Sequence, residues 1–571
     1  MFSFIFNNMN ESIQKKLLRV RPPRVKITYD VETGGAIEKK ELPFIIGILA
    51  DLNGDENTTI AKPALKDRSF IDIDRDSFNT VMKTINPQIN LGGIADVLPE
   101  AKDGDHLSGT VSFSCIDDMR PIALIKQIPA LNNLYTEKGQ KQTNPSSADR
   151  VLLIDAAINN QLNIIMHSPA FTKLEASWRG LYYLVSRAET GVLLKLRLLN
   201  VSKNELAEEF DQSVEFDQSG LFKKIYEAEY GTYGGVPYSL LIGDYYFGTS
   251  TNDINLLQKI AATAATANAP FISAADASLF GLNDYSNLSK VRDLSKIFEG
   301  ADHIGYQQFS QTEDSRYVSL VLPQVMLRMP YGKDGVMAEG FCFEENIDHG
   351  NYCLWGNVSW LLTERICNAF ALYSWPAAIC GKEGGGLIND LPVYIFKNDI
   401  GEEERIGPTQ VLITKPQEKQ LSDLGFIFLY NEENTSQVVF FKDNKPAHEK
   451  PITNNANANA QISRMLPYML AASRFAHYVK LIMRNKIGSF LTRANVETYL
   501  NTWIANYILL DDNATEEAKA TFPLRAASIV VTDVPGSPGA YNATIFVKPH
   551  FQLEELTTSI RLLAALPAAI A

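Results

Sequence analysis

"YSLLIGDYYF" (238–247), "NDINLLQKIAATAATANA" (252–269) and "PFISAADA" (270–277) follow one another almost without a break, and their order decides the fold. The outer two are apolar, strand-like runs. The alanine-rich segment between them places Ile254, Leu257 and Ala261 on one helical face. Parallel strands cannot be joined by a tight turn and need a crossover, usually helical, so strand, helix, strand predicts a βαβ unit in a parallel sheet.

Helical patterns lie on both sides of this unit. "VLLIDAAINNQLNIIMHSPAF" (151–171) begins a helical region that continues into "LEASWRGLYYLVSRA" (174–188). Two more helices are expected downstream, in "RMLPYMLAASRFAHYVKLIMRNKIGSF" (464–490) and "NVETYLNTWIANYILL" (495–510). The end of the chain changes character. "RAASIVVTDV" (525–534) and "AYNATIFVKPH" (540–550) flank the turn "PGSPG" as a strand pair, and "FQLEELTTSIRLLAAL" (551–566) is expected as an amphipathic helix.

Before residue 137 the pattern is that of a small α+β unit. In "RPPRVKITYDV" (21–31), Val25, Ile27, Tyr29 and Val31 alternate with Lys26, Thr28 and Asp30, the period of a strand with one buried face. Paired glycines in "ETGGAIEKK" predict a turn, and "ELPFIIGILADL" (41–52) a mostly buried strand. "DSFNTVMKTI" (76–85) predicts a short helix, "GTVSFSCI" (109–116) a strand, and "RPIALIKQIPALNNLY" (120–135) a helical pattern interrupted at Pro129. The polar stretch 137–150, "EKGQKQTNPSSADR", has no apolar period and is the expected main boundary. The division is therefore 1–136, a linker at 137–150, and 151–571, with the C-terminal strand pair and helix at 525–567.

The 571 residues suffice for several cores, and 45% apolar with 21% charged residues is ordinary globular composition. A net charge of −13 and a pI near 5.2 argue against nucleic acid, which needs clustered cations. No apolar run approaches the roughly 20 residues of a membrane helix, and "MFSFIFNN" is too short for a signal-peptide core, so a cytoplasmic chain is expected. Five scattered cysteines suggest reduced, mostly buried thiols.

Each motif suggestive of chemistry lacks a required part. "DIDRDSF" sets Asp72, Asp74 and Asp76 like the first calcium ligands of an EF-hand, but Ser77 and Lys83 stand where Gly and Glu are needed. Cys342, His349 and Cys353 lack a zinc knuckle, and His477 reads as a core histidine. "GKEGGGLIND" from Gly381 is the best phosphate cradle, yet Leu387 and Ile388 follow it instead of a helix opening with Lys and Ser or Thr. "YGTYGGVPY" (230–238) fails in the same way. No catalytic residue, metal or cofactor is expected.

Residues 20–136, through "RVRPPRVKITYDVETGGAIEKKELPFIIGILADL" and "FIDIDRDSFNTVM", resemble TssB, the small sheath subunit of type VI secretion systems. Residues 151–567 resemble TssC, the large subunit, through "LEASWRGLYYLV", "YGTYGGVPYSLLIGDYYF", "LPQVMLRMPYG", "LWGNVSWLL", "EGGGLINDLPV" and "VKPHFQLEELTTSIRL". The resemblance implies a multi-domain contractile-sheath fold with mixed sheets flanked by helices. It also implies self-assembly into a helical tube around an Hcp-like inner tube, release by a baseplate, and no enzymatic step. By the same resemblance, Val25, Lys26, Ile27, Thr28, Tyr29, Asp30 and Val31 form a strand that joins a neighbour, the C-terminal strands belong to the same intermolecular sheet, and Glu554, Glu555 and Arg561 are inner-tube contacts. The long TssB tail and most of the TssC N-terminal extension are replaced by the polar linker, so the resemblance does not extend to a handle for the ClpV ATPase. Two other readings stay open: the sheath of a phage-like or extracellular injection particle, and a nucleotide- or phosphate-binding enzyme using "GKEGGG".

Overall fold

The structure is a computed structural model that describes residues 29–33, 36–54, 63–141, 148–213, 215–230, 232, 235–347, 352–376, 378–382, 385–397, 401–431, 435–441, 465–485, 492–511, 514, 522, 524–533, 541–549 and 560–566. Strands β1 (Tyr29–Thr33) and β2 (Ala36–Lys40) pair antiparallel, from Tyr29 opposite Lys40 to Thr33 opposite Ala36. Strand β3 (Phe44–Ala50) follows and is buried at every residue. Beyond it come β4 (Ile71–Ile73), α1 (Phe78–Ile85), α2 (Pro121–Gln127) and α3 (Pro129–Lys141), the last two separated at the expected Pro129.

Helix α4 (Ala148–Met166) returns alongside α3, so the stretch expected as a polar linker is helical at both ends. Ion pairs take the place of an apolar period here. Glu137 accepts from Lys141 one turn on (2.6 Å) and from Arg150 across the pair (3.1 Å), while Lys138 meets Asp155 (2.7 Å). Helix α5 (Pro169–Arg187) is separate from α4 because Ser168 caps it and Pro169 occupies its first turn.

Next come β5 (Leu194–Asn200), β6 (Tyr238–Phe247), α6 (Thr251–Ala267), β7 (Phe271–Ala275) and β8 (Val318–Leu322). Strands β6 and β7 are adjacent and parallel, and Ile254, Leu257 and Ala261 of α6 are buried against them, as the βαβ pattern predicts. Helix α7 (Ser359–Tyr373), β9 (Leu387–Ile388), β10 (Ile427–Asn431) and β11 (Val438–Phe441) complete a nine-stranded sheet of order β9-β11-β10-β8-β7-β6-β3-β5-β4. Its centre is parallel, and its outer strands β4, β11 and β9 are antiparallel.

The strand from the small α+β region sits inside this sheet. Ile46 of β3 faces Leu196 on one side and Leu240 on the other, both pairings parallel. Alternate residues serve opposite faces: Phe44, Ile46 and Ile48 pack with Trp178 of α5 and Trp360 of α7, whereas Ile45 and Leu49 pack with α6. Five large apolar side chains buried in this way contribute about 1.5–3 kcal/mol each. The cores on both faces of this sheet draw side chains from both regions.

Helix α8 (Leu466–Asn485) connects this body to a third core beneath a smaller sheet, joined by α9 (Arg493–Ala505), β12 (Leu524–Asp533), β13 (Tyr541–Pro549) and β14 (Ile560–Leu566). The strand pair at 525–550 is as expected. Ile560–Leu566, however, is not part of a helix: it is a third strand, antiparallel to β13 from Val547 opposite Ile560 to Tyr541 opposite Leu566. A short apolar run fits either geometry by periodicity, and the open second edge of β13 offers backbone partners that an isolated helix lacks. No helix among the described residues is long and apolar enough to cross a membrane.

Candidate assembly interface

The junction between β2 and β3 is held from α8. Arg474 and Tyr478, one turn apart on the same face, grip both backbone groups of Leu42: the Leu42 amide donates to the Tyr478 hydroxyl (2.9 Å) and its carbonyl accepts from Arg474 (2.6 Å). The Arg474 guanidinium lies 4.9 Å from the Phe370 ring centre, and Phe370 stacks on Phe44. Burial raises the Tyr478 pKa, so the hydroxyl stays protonated. Helix α8 also lies against β1, β6, β13 and β14, which makes it the common support of the β1–β2 pair and the C-terminal sheet.

Of the residues expected in the intersubunit strand, Tyr29, Asp30 and Val31 lie in β1 and pair with Lys40, Lys39 and Glu38 of the same chain. Val25, Lys26, Ile27 and Thr28 lie outside the described residues. Among the described residues the other edge of β1 carries no strand. Of the expected tube contacts, Arg561 is in β14 opposite Phe546, and Glu554 and Glu555 lie outside the described residues.

The motifs suggestive of chemistry have structural partners. Asp72 is ion-paired with Arg197 (3.1 Å), and Asp74 accepts from the Ser77 amide (2.8 Å), which lowers its pKa. Cys342 is exposed, burial pushes the Cys353 thiol up to about 12, and His349 lies outside the described residues. His477 is buried with Nε2 2.9 Å from the Ala267 carbonyl, and burial pushes its pKa down to about 3.

Gly381 and Gly386 of the glycine loop pack against strand β11. The Gly381 amide donates to Phe440, the Gly386 amide to Gly381, and the Phe440 amide to Gly386, after which the chain enters strand β9. Gly235 in the other glycine stretch donates to Thr232. The N-terminus of α6, the natural phosphate position after β6, already holds a carboxylate: Asp253 accepts from the Gly248 amide (2.8 Å) and pairs with Lys203.

Sequence reasoning missed a buried charge cluster on the α5 side of the sheet. Arg328 donates to Glu175 (2.8 and 3.2 Å) and to Glu345 (2.7 and 2.9 Å), and Arg179 pairs with Glu175 (2.7 Å). Burial alone would raise the Glu345 pKa, but the Arg328 charge, the neighbouring His167, and hydrogen bonds from Arg328 and the Tyr331 amide bring it to about 2. The local signal for it is the i, i+4 spacing of Glu175 and Arg179; Arg328 and Glu345 lie far away in the chain.

Comparison with known proteins places this architecture in a class, that of tail sheath proteins. Residues 148–446 match the EvpB/VipB tail sheath N-terminal domain, 455–566 the corresponding gpW/gp25-like domain, and 17–163 the type VI secretion system VipA family. The chain belongs to the type VI secretion system sheath family and carries TssB-like and TssC-like regions in one polypeptide. It is 42% identical over 428 residues to the sheath protein TssC1 of Pseudomonas aeruginosa, covering 73% of this chain and 85% of that protein. It is 37% identical over 130 residues to TssB1 of the same organism, covering 23% of this chain and 72% of that protein.

Proposed function

We propose that this chain serves as one sheath unit, with the small- and large-subunit regions in a single polypeptide. It polymerises with copies of itself in the cytoplasm around an Hcp-like inner tube, is held by a baseplate, and shifts collectively to a shorter, wider form that expels the tube. The observation that supports this most is the position of β3 between β5 and β6. Because both regions share one sheet, fusing them supplies each sheath unit already paired.

In this reading 1–136 is the small-subunit region, 137–150 the joining stretch and 151–571 the large-subunit region. The strand Val25–Val31 reaches the C-terminal sheet of a neighbour. Strand β2 takes one edge of β1, and the proposal uses the other. The grip on Leu42 fixes the base of this arm, so that a neighbour's movement is passed to the body of the subunit. Glu554, Glu555 and Arg561 make the polar contacts with the tube that break on contraction. The work comes from a small free-energy preference per subunit added along the filament, and no catalytic step is required. The backbone bonds already made by the Gly381 and Gly386 amides and the carboxylate at α6 favour this over a phosphate-binding enzyme.

Electron microscopy of the purified chain tests the reading. Wide-lumen tubes are expected from the full chain, and none from a chain lacking residues 1–32. Ordered, contractile tubes from the shortened chain reject the intersubunit strand, and monodisperse small particles from the full chain reject the sheath.

A further inference from the structure

Strand β12 ends the C-terminal sheet, yet its outer edge is occupied. Asn501 of α9 accepts from the Ile529 amide (2.9 Å) and donates to the Ile529 carbonyl (2.7 Å). Glu497, one turn earlier, accepts from the Val531 amide (3.0 Å). At the start of the strand, the Leu524 amide donates to Tyr507 (3.0 Å) and its carbonyl accepts from Leu509 (2.7 Å). The register shift between Leu524 and Ala526 brings an even-numbered residue and two odd-numbered ones onto the same edge.

Helix geometry explains how one element covers both a face and a rim. Val496, Leu500 and Ile504 recur every four residues and are buried in the core under the sheet. Glu497 and Asn501 each follow a core residue, about 100° further round the helix, and so reach the strand edge. The Asn501 carboxamide offers a donor and an acceptor in one plane, the same pair that a residue of an added strand would present to Ile529.

We propose that Asn501 and Glu497 determine where a second copy can pair: they close β12 against strand addition, so the sheet is extended only beyond β14. This rests on the reading that subunits join by strand addition. Two open edges would offer the same donor strand two docking places and permit branching, whereas one gives each subunit a single successor.

Hydrogen exchange at single-amide resolution on the full chain, held unassembled, tests the closure without any variant. The Ile529 and Val531 amides are expected to exchange as slowly as the paired amides of β13; open-edge rates overturn the proposal. In Asn501→Ala, exchange at Ile529 should quicken about tenfold, as for the loss of one average hydrogen bond. Glu497→Gln keeps an acceptor and should leave Val531 protected. On assembly, the double variant Asn501→Ala, Glu497→Ala is expected to give laterally joined bundles in micrographs in place of separate tubes. Separate tubes of unchanged form, with Ile529 deprotected, overturn the role in assembly. Should the double variant lose its cooperative melting, Asn501→Asp, which removes only the donor, is judged by the same two measurements. The exchange arm requires no assembly, so its failure is distinct from failure of the strand-addition reading, which the 1–32 deletion decides.

Discussion

Arg474 donates to the carbonyl of Leu42 at 2.6 Å, tying the long helix of the TssC-like region to the residue at which the TssB-like arm enters the central sheet. Removing it leaves that buried carbonyl unpaired and strips a cation from the Phe370 ring. Arg474→Ala should cost about 2–4 kcal/mol in urea unfolding, and Tyr478→Phe about 1–2 kcal/mol through the Leu42 amide. A loss below about 0.5 kcal/mol for both would show that the junction is held elsewhere.

Gly180 lets α5 approach α7. A Cβ there would lie 2.3 Å from the Trp360 indole. Gly180→Ala should destabilise by about 1–3 kcal/mol, and combining it with Trp360→Leu should cost less than the sum of the two single changes. Additive losses would place the strain away from this contact.

The Arg328 cluster predicts acid sensitivity. The Glu345 carboxyl is brought from the ordinary 4.5 to about 2, so the folded state binds its proton less readily than the unfolded chain. Its contribution is present above about pH 4.5 and is lost as pH falls toward 2. Glu345→Gln should flatten that part of the stability profile while lowering stability at pH 7. Arg328→Met should cost about 3–5 kcal/mol, because the buried Glu175 and Glu345 carboxylates then lose the guanidinium that they share. An unchanged acid limb in Glu345→Gln would assign it to other groups.

The proposed arm predicts a separation of assembly from movement. Inserting a few flexible residues within Arg21–Arg24 should leave tubes that form but do not shorten, as judged by length distributions after a contraction trigger. Normal shortening would mean that the tether length is immaterial.

Much of the fold was legible because it is written locally. The burial of "ELPFIIGILADL", the α6 crossover and the break at Pro129 each follow from side-chain period or backbone restriction within a few residues. The ion-paired helix ends at 137–150 and the strand Ile560–Leu566 did not follow. The first depends on Arg150 meeting Glu137 across a helix pair, and the second on an unfilled edge of β13.

By itself the sequence determined the α/β class and, through its long matched stretches, the sheath family with both regions in one chain. Tertiary structure alone decided that Ile46 lies between Leu196 and Leu240, that α8 holds Leu42, and that Asn501 closes the edge at Ile529. Periodicity and capping act over one or two turns and leave a mark in the local sequence. Which strand edges meet, and which buried charges find each other, depends on segments far apart in the chain that only the packed core brings together.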